Sequence, residues 1–331
     1  MSVLSTALPD EGTGDAGFET AGRGSRIRVG LDVGGTKIDA LALAFDGSIL
    51  ARTRIPTGWG DHAVVAAVHE AVDALADAGR FPVADVASVG IGIPGLVDAG
   101  AGRVLHAVNL GVTELDLAAA VRVRLPVPVT VENDVKAAAL GAGSLRGDAH
   151  SMAYLNLGTG VAAGIVIDGA LWRGVHGTAG EVGHLSVDPR GRVCGCGQRG
   201  CIETFCGGGA VSKAWGRGGE LPLRDIFDLA EQGDAFALEL REGIAFGAAS
   251  AVRSLVLGAD VETVVIGGGV TALGDRLLGD LMQRLRREGA ESPFIRSLHL
   301  EERIELLPAG SPAGALGAAL VGAQRPPAEL V

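Results

Sequence analysis

A cluster of cysteines near the middle of the chain places the strongest constraint on how this sequence can fold. Cys194, Cys196 and Cys201 form a C-x-C-x4-C pattern, and His184 precedes it by ten positions. Three thiolates and one imidazole make a closed tetrahedral zinc set, and the intervening glycines let the backbone wrap around an ion. The sequence therefore predicts a structural zinc site with His184, Cys194, Cys196 and Cys201 as ligands. A catalytic zinc is disfavoured because this set leaves no open coordination position.

The alternatives for these cysteines are free thiols or a redox pair. A disulfide framework is typical of short secreted chains, whereas this chain has 331 residues and its first residues carry no signal-peptide pattern. Cys194 and Cys196 are separated by a single residue, which is a poor geometry for a mutual disulfide. We therefore expect a reducing, cytoplasmic environment.

The overall composition limits the class of protein. A length of 331 residues suits about two domains, and a net charge of −11 argues against a nucleic-acid surface as the main partner. Every apolar run is cut by Gly, Asp or Arg before it reaches the length of a membrane span. Residues 1–26 are rich in Gly, lack an apolar core and are predicted to form a disordered tail.

The hydrophobic pattern divides the chain into two similar halves, each beginning with a strand, a glycine turn and a second strand. In the first half we predict strands over 27–33, 38–45, 48–55, 86–93 and 127–131, and helices over 61–79 and 114–124. In the second half we predict strands over 152–157, 163–168, 262–266 and 303–307, and helices over 223–258, 275–287 and 311–323. We interpret this as a duplicated α/β plan with a cleft between the halves.

The predicted domain boundaries follow from this pattern. An N-terminal α/β domain covers residues 27–135, and the helix over 311–323 is expected to pack back on it. A larger C-terminal α/β domain covers 136–310 and contains the zinc segment 184–201.

Glycine turns follow a strand in both halves and are candidates for binding phosphates. Glycines let backbone N–H groups approach a phosphate closely, and neighbouring hydroxyl and ammonium groups can donate to it. The acid that opens the first turn could hold Mg²⁺. A third glycine turn, at 267–269, suits close approach of an adenine or a ribose. The alternative for each is a plain turn, with a solvated Lys in the first. The candidate cofactor-binding residues are Asp32, Gly34, Gly35, Thr36, Lys37, Gly158, Thr159, Gly160, Gly267 and Gly268.

One further glycine pattern is not interpreted as a nucleotide site. Residues 90–95 spell G-x-G-x-x-G after a strand, which is the dinucleotide fingerprint. That fingerprint should open a helix, yet the residues after Gly95 are typical of a turn. Pro94 also lacks the N–H that a pyrophosphate would need. We therefore reject a Rossmann interpretation.

The segment Glu132-Asn133-Asp134 is the best candidate for the reacting centre. An Asn or Asp before an Ala-rich run is a normal helix N-cap, and this alternative stays open. As a functional group, Asp134 would accept a proton from a hydroxyl while Asn133 orients the acceptor. The capping role and the role as proton acceptor are compatible, because a helix N-terminus keeps a carboxylate ionised.

The motifs DVGGTK, GIPG, ENDV, LGTG, GEVGH and CGCGQRGCIE occur in the order found in the ROK family of sugar kinases and repressors. The sequence resembles this family over about residues 27–323. The resemblance implies a two-domain α/β fold of the actin-like, hexokinase (ribonuclease H-like) type, with ATP in the cleft and a hexose phosphorylated at O6. It also implies Mg²⁺, a structural Zn²⁺ and a homodimer or tetramer, with no nucleic-acid or membrane partner.

The same resemblance implies roles for individual residues. Asp134 corresponds to the catalytic base, and His184 would bind zinc through one ring nitrogen while its other nitrogen faces the sugar. The residues that would hydrogen-bond the sugar hydroxyls are Asn133, Glu181, His184 and Glu203.

The sequence departs from the family pattern in four places. Ala162 and Ala163 stand where Gly is usual, Lys136 stands where glucokinases commonly have Asn, and Cys206 replaces a small residue. The segment 109–112 also lacks the Trp that is common in bacterial glucokinases. These departures weaken glucose as the acceptor more than they weaken the kinase prediction.

Several functional alternatives remain at this stage. Glucose at O6 is the first candidate acceptor; an N-acetylhexosamine, another hexose or a sugar-like cyclitol are the others, and polyphosphate could replace ATP as the donor. A sugar-sensing transcriptional regulator without its DNA-binding domain is a less favoured class. Residues 1–26 show no helix-turn-helix pattern, and the predicted base and phosphate turns are all present.

Overall fold

The computed structural model describes residues 27–148, 150–308 and 310–323. Within these ranges the chain forms two compact units, and the first consists of residues 27–134 together with 314–323. The second unit is Val135–Ala313. The tail predicted for residues 1–26 lies outside the described residues. Within the described ranges, no helix combines the length and apolar character needed to cross a membrane.

The first unit is built on a five-stranded sheet and a smaller three-stranded sheet. Its elements up to the last strand are β1 (Ile27–Val33), β2 (Lys37–Leu43), β3 (Ile49–Pro56), α1 (Asp61–Gly79), β4 (Val86–Ile93), β5 (Leu96–Asp98), β6 (Arg103–Ala107), β7 (Val112–Leu115), α2 (Leu117–Arg122) and β8 (Val129–Asn133). The strand order of the large sheet is β3-β2-β1-β4-β8, and the small sheet has the order β5-β6-β7.

The second unit carries a second five-stranded sheet and most of the helices. Its elements, starting from the helix that begins at Asp134, are α3 (Asp134–Arg146), β9 (Ser151–Leu157), β10 (Val161–Ile167), β11 (Ala170–Trp172), α4 (Ile202–Cys206), α5 (Gly208–Trp215), α6 (Pro222–Glu231), α7 (Ala235–Ala259), β12 (Thr263–Gly267), α8 (Asp275–Glu291), α9 (Pro293–Ser297) and β13 (Ile304–Leu306). The chain then returns to the first unit as α10 (Ala313–Ala323).

The two large sheets follow the same plan. The second sheet has the order β11-β10-β9-β12-β13. In each sheet the first three strands of that unit form an antiparallel meander, and two later strands add in parallel beside the first. The predicted duplication is therefore present in strand order and in strand direction.

Strand direction in the first unit brings four loops to one edge of the sheet. β1, β3, β4 and β8 all point the same way, because β2 runs antiparallel to both of its neighbours and β4 and β8 are parallel to β1. Their carboxyl ends, and the residues that follow them, therefore lie at one edge. Ligands of open α/β sheets bind at such an edge.

Helix α10 packs directly on the first sheet through glycines. A Cβ at Gly90 would overlap the carbonyl oxygen of Ala318, and a Cβ at Gly30 would overlap that of Ala315. Both glycines lie in the middle of strands, where Gly is unfavourable by itself. Their presence is explained by the close approach of the helix backbone.

This contact gives a stability prediction. We expect Gly90→Ala to lower the free energy of unfolding by about 3 kcal/mol, because the added methyl forces the helix away from the sheet. Gly279→Ala is the matched control, since Gly279 lies in α8 with nothing within 4 Å of its Cβ position. The control should gain up to about 1 kcal/mol. Calorimetric unfolding measures both, and equal effects would contradict the packing argument.

Three predicted elements of the first unit are corrected by the structure. Residues after Gly95 form strand β5 and not a turn, although they open no helix, as the rejection of the Rossmann interpretation requires. The helix predicted over 114–124 begins only at Leu117, because Val112–Leu115 pairs with β6. The strand predicted over 127–131 extends through Asn133, so that Asp134 begins a helix with no intervening loop.

The helical region predicted over 223–258 is also divided. Helices α6 and α7 are separated at Gly233, whose φ of 89° suits glycine, and Asp234 caps α7 by accepting a hydrogen bond from the Ala237 N–H at 2.8 Å. Local sequence signals for this break, Gly followed by Asp, are present but weak beside the continuous apolar pattern.

Candidate functional site

The first glycine turn joins β1 to β2 at the shared edge of the first sheet. The Gly34 N–H donates to the Lys37 carbonyl at 2.9 Å, which closes the turn. Gly35 lies against Asn109, since a Cβ at Gly35 would be 3.2 Å from the Asn109 carbonyl oxygen. Lys37 is half exposed and forms an ion pair with Asp39 at 3.7 Å. The turn is therefore a tight backbone loop with an accessible cation, as a phosphate site requires.

Asp32 sits at the end of β1 in an unfavourable environment for a charge. Burial, and after it the nearby carboxylates of Asp134 and Asp39, raise the pKa of its carboxyl to about 7 against the opposing effect of Lys37. Gly314, at the start of α10, packs so closely that a Cβ there would overlap the Asp32 carboxylate. Asp32 and Asp134 lie at the same edge of the sheet, and a divalent cation there would stabilise the charged form of both carboxylates.

The raised pKa of Asp32 gives a prediction about pH. The unfolded chain releases this proton near pH 4 and the folded protein near pH 7, so stability falls as the pH rises between these values. We expect Asp32→Asn to be as stable as the parent at pH 4 and more stable at pH 8, by up to about 4 kcal/mol, with EDTA present.

Unfolding midpoints at several pH values test this expectation. Asp46→Asn is the control, because hydrogen bonds from Ser48 lower the pKa of Asp46 and its removal should have the opposite sign. If Asp32→Asn were more stable than the parent by the same amount at every pH, burial of a charged carboxylate could not be the cause.

The predicted reacting segment lies at the carboxyl end of β8. Glu132 is buried and its carboxylate accepts the Asn133 N–H at 3.0 Å. The Asn133 amide donates to the Gly95 carbonyl at 3.3 Å. Asp134 occupies the first turn of α3, where the helix dipole stabilises a carboxylate. The structure thus brings Asp134, Asn133 and Asp32 to one edge of the first unit.

An aromatic residue at this edge has no counterpart in the sequence-based predictions. Trp59, in the loop between β3 and α1, lies against Gly111, where a Cβ would be 2.5 Å from the indole Nε1. The segment 109–112, which lacks a Trp of its own, is therefore covered by an indole from another loop. A Trp between two glycines was the available sequence signal.

In the second unit the four predicted zinc ligands converge. Their ligand atoms all lie within 4.8 Å of one another. The Cys194 Sγ is 3.8 Å from His184 Nδ1, and the Cys196 Sγ is 3.7 Å from the Cys201 Sγ. Ligands about 2.3 Å from a tetrahedral ion are roughly 3.8 Å apart, so these separations fit zinc.

The protonation behaviour of the thiols also suits a cation. Burial raises the pKa of Cys194 and of Cys201, whereas hydrogen bonds from Gln198 lower the pKa of Cys196 to about 6. Two buried thiols that resist ionisation in the bare protein become thiolates when a metal neutralises them.

The two glutamates predicted to bind sugar flank this cluster. Glu203 accepts the Val161 N–H at 3.0 Å, and a Cβ at Gly160 would be 2.7 Å from its carboxylate, so it lies beside the 158–160 turn. Glu181 is exposed and directly precedes the short 3₁₀ helix Val182–His184. Glu181 and Glu203 therefore lie next to the two ends of the segment 184–201, and the Glu203 carboxylate is 3.9 Å from the Cys194 Sγ.

Lys136 is buried, and its ammonium donates to the Gly177 carbonyl at 2.7 Å. This hydrogen bond connects α3 to the loop that leads to Glu181.

Cys206 is also buried, and burial raises the pKa of its thiol strongly. Its Sγ donates to the Ile202 carbonyl at 3.5 Å, and it does not belong to the four-residue cluster.

A cavity of about 690 Å³ opens beside the second glycine turn. Its lining comes from that turn, from α5, from the start of α6 and the segment that leads into it, and from the start of α8 and the 3₁₀ helix that leads into it: Gly158, Thr159, Gly208, Gly209, Ser212, Glu220, Leu221, Pro222, Leu223, Arg224, Gly269, Val270, Ala272, Leu273 and Arg276. Only Gly158 and Thr159 among these are predicted cofactor residues. Gly269 belongs to the third candidate glycine turn, and the remaining lining residues come from separate segments and carry no predicted motif.

Gly267 and Gly268 are placed beside this cavity but not in its lining. A Cβ at Gly267 would overlap the Tyr154 hydroxyl, and one at Gly268 would be 2.5 Å from the Leu157 carbonyl oxygen. These glycines allow β12 to turn closely past the end of β9, and Gly269 is the one of the three that faces the cavity.

Two α/β units on one strand plan, each with a glycine turn after its first strand, have the actin-like, hexokinase-type fold. The chain belongs to the ROK family, whose model matches residues 28–325. The predicted family and fold class are thereby confirmed.

Named relatives are similar over most of the chain. A glucokinase from Halalkalibacterium halodurans is 35% identical over 280 residues, which are 78% of this chain and 84% of that protein. An N-acetylmannosamine kinase from Yersinia pseudotuberculosis is 33% identical over 245 residues, covering 72% and 82%. The structure of a ROK family glucokinase from Streptomyces griseus with glucose and AMPPNP is 31% identical, with a TM-score of 0.71, and covers 89% of this chain and 99% of that one.

Proposed function

We propose that this chain is an ATP-dependent hexose kinase, with glucose at O6 as the first candidate acceptor. The observation that carries the proposal is the placement of Asp134. Its carboxylate lies at the first turn of α3, at the same sheet edge as the DVGGTK turn and close enough to Asp32 to raise its pKa. Relatives that are named glucokinases and share about a third of its residues support the same conclusion.

The chemistry asked of Asp134 is modest. Phosphoryl transfer passes through a loose transition state in which the acceptor hydroxyl loses its proton late, so a carboxylate of ordinary basicity is sufficient. The N-terminus of α3 would stabilise the carboxylate of Asp134, which would accept that proton. Asn133, fixed by its bond to the Gly95 carbonyl, would orient the acceptor hydroxyl.

The zinc segment would position the rest of the acceptor. A zinc ion on His184 Nδ1 and the three thiolates would supply rigidity and leave the opposite ring nitrogen free to hydrogen-bond the sugar. Glu181 and Glu203 would accept hydrogen bonds from sugar hydroxyls. The zinc ion would only fix the orientation of the His184 ring, so the proposed role of the metal is structural.

The donor is proposed to be a nucleotide and not a polyphosphate. The cavity of the second unit is lined by apolar side chains such as Leu221, Val270 and Leu273 beside the backbone of Gly158 and Thr159. An apolar recess next to a glycine turn suits a nucleobase and its phosphates, whereas polyphosphate would gain nothing from the apolar part. Mg²⁺ held through Asp32 would neutralise charge on the phosphates.

A second acceptor class is N-acetylmannosamine, since a kinase with that name is 33% identical to this chain. Lys136 donates to the Gly177 carbonyl and so holds the loop that leads to Glu181, one of the proposed acceptor-binding residues. The homodimer or tetramer and the cytoplasmic location implied by the sequence remain predictions. Light scattering would test the first of them.

The test is a coupled assay of ADP release with ATP and Mg²⁺ across glucose, mannose, fructose, N-acetylhexosamines and cyclitols. We expect turnover with glucose or N-acetylmannosamine, and none with polyphosphate in place of ATP. Preferred turnover with polyphosphate would contradict the donor assignment. No turnover with any acceptor, in a folded and zinc-loaded protein, would contradict the kinase proposal.

A further inference from the structure

The loop between β3 and α1 presents an aromatic side chain to solvent. Trp59 is 68% exposed although indole is a large apolar group. Single exposed apolar residues are common on protein surfaces, so exposure alone carries no inference. The loop that holds Trp59 is, however, firmly attached to its surroundings.

Three hydrogen bonds fasten this loop on both sides of the indole. Thr57, whose side chain is fully buried, donates its hydroxyl to the Gly34 carbonyl at 2.7 Å and its N–H to the Thr36 carbonyl at 3.2 Å. On the other side the Gly60 N–H donates to the Leu110 carbonyl at 2.7 Å. A loop whose backbone is fixed in this way loses little freedom when it binds a ligand, which favours affinity.

Glycines on either side of the indole make this arrangement possible. Gly58 and Gly60 have φ values of 78° and 87°, which other residues rarely adopt. Gly111, on which the indole rests, could not carry a Cβ without meeting the ring. Three glycines thus allow the loop to bring the Trp59 indole directly against the backbone of Gly111.

The position of Trp59 links it to the proposed acceptor residues. β3 ends at the same sheet edge as β8, which carries Asn133 and leads into Asp134. Gly111, which lies against the indole, follows Ala107 by four residues. The Ala107 Cα lies 3.0 Å from the Cβ position of Gly95, and the Gly95 carbonyl accepts a hydrogen bond from the Asn133 amide. Two contacts and the short stretch of chain from Ala107 to Gly111 therefore connect the indole to the acceptor-orienting amide.

We propose that Trp59 is a specificity-determining residue whose indole stacks on the apolar C–H face of the acceptor's sugar ring. This inference rests on the proposed hexose kinase function. A pyranose ring carries its hydroxyls at the rim and C–H groups on its faces. The electron-rich face of an aromatic ring attracts such C–H groups and removes them from water, while the rim hydroxyls stay free for hydrogen bonds.

The experiment compares Trp59→Ala and Trp59→Phe with the parent enzyme, using glucose and N-acetylmannosamine as probes. We expect Trp59→Ala to raise the KM of the preferred sugar about tenfold, with kcat and the KM for ATP within about twofold of the parent. Trp59→Phe, which keeps a flat ring, should recover most of the loss. Phe45→Ala is the matched control, because Phe45 is an exposed aromatic at the opposite edge of the same sheet.

Binding is measured independently through tryptophan fluorescence. The chain contains three Trp residues, so the change in emission caused by the sugar should disappear in Trp59→Phe and persist in Trp172→Phe. Turnover by the parent with an unchanged sugar KM in Trp59→Ala would overturn the role of Trp59 alone. A parent that neither turns over nor responds in fluorescence to either sugar would overturn both this inference and the proposed function.

Discussion

Asp134→Asn should lower kcat about a thousandfold and leave the dissociation constant of the acceptor within about threefold of the parent value. The amide keeps the size and shape of the carboxyl group but cannot accept the proton of the attacking hydroxyl. Because Asp134 would act on the proton and not on the ring of the sugar, the loss belongs in kcat. Steady-state kinetics together with a fluorescence titration of the sugar separate the two quantities.

The control for this variant must also remove a carboxylate from a helix N-terminus. Asp116 caps α2 in the same unit and accepts the Ala119 N–H at 3.0 Å. Asp116→Asn keeps that capping geometry and should leave kcat unchanged, since Asn caps helices as well as Asp does. Substantial turnover by Asp134→Asn, above about a tenth of the parent rate, would exclude Asp134 as the base.

Cys196→Ser should remove zinc from the protein and with it nearly all activity. A serine hydroxyl is a poor zinc ligand at neutral pH, so the remaining set binds the metal weakly. Without the ion, the side chain of His184 and the segment beside Glu203 are no longer held in place. We expect the zinc content to fall from one per chain to near zero and the unfolding midpoint to fall by roughly 5 °C or more.

Cys206→Ala is the matched variant for this experiment. Cys206 is buried in the same unit but lies outside the cluster, so the substitution should retain one zinc per chain and most of the activity. Zinc is counted by atomic absorption, and a chelator titration of the parent gives an independent loss curve. A Cys196→Ser protein that lacks zinc yet phosphorylates sugar at the parent rate would exclude the structural role of the metal.

The sequence was most informative for features that can be recognised from residues close together along the chain. Four metal ligands of the right type within a short segment do not depend on distant parts of the chain to be recognised, and their side chains do converge. Strands with a clear apolar pattern, such as 27–33 and 86–93, were predicted with their observed bounds. The duplicated plan could be predicted because each half repeats the same local order of strand, glycine turn and strand.

The errors arose where pairing with a distant segment decides the local structure. Val112–Leu115 has a pattern compatible with the start of a helix, but it becomes a strand because β6 offers it hydrogen-bond partners. Gly30 and Gly90 carry no local signal that a helix more than two hundred residues later will lie on them. Such contacts depend on tertiary packing, which overrides local propensity.

The sequence by itself therefore determined the family and the α/β class, and it predicted the zinc ligand set and the candidate base, because these depend on residue types at short spacings. Only the tertiary structure showed that burial raises the pKa of Asp32, that the second unit contains a cavity lined from four separate segments, and that Trp59 covers Gly111. Each of these properties arises from atoms that are close in space and distant in sequence. No pattern along the chain encodes such distances, because they are set by how strands pair and helices pack.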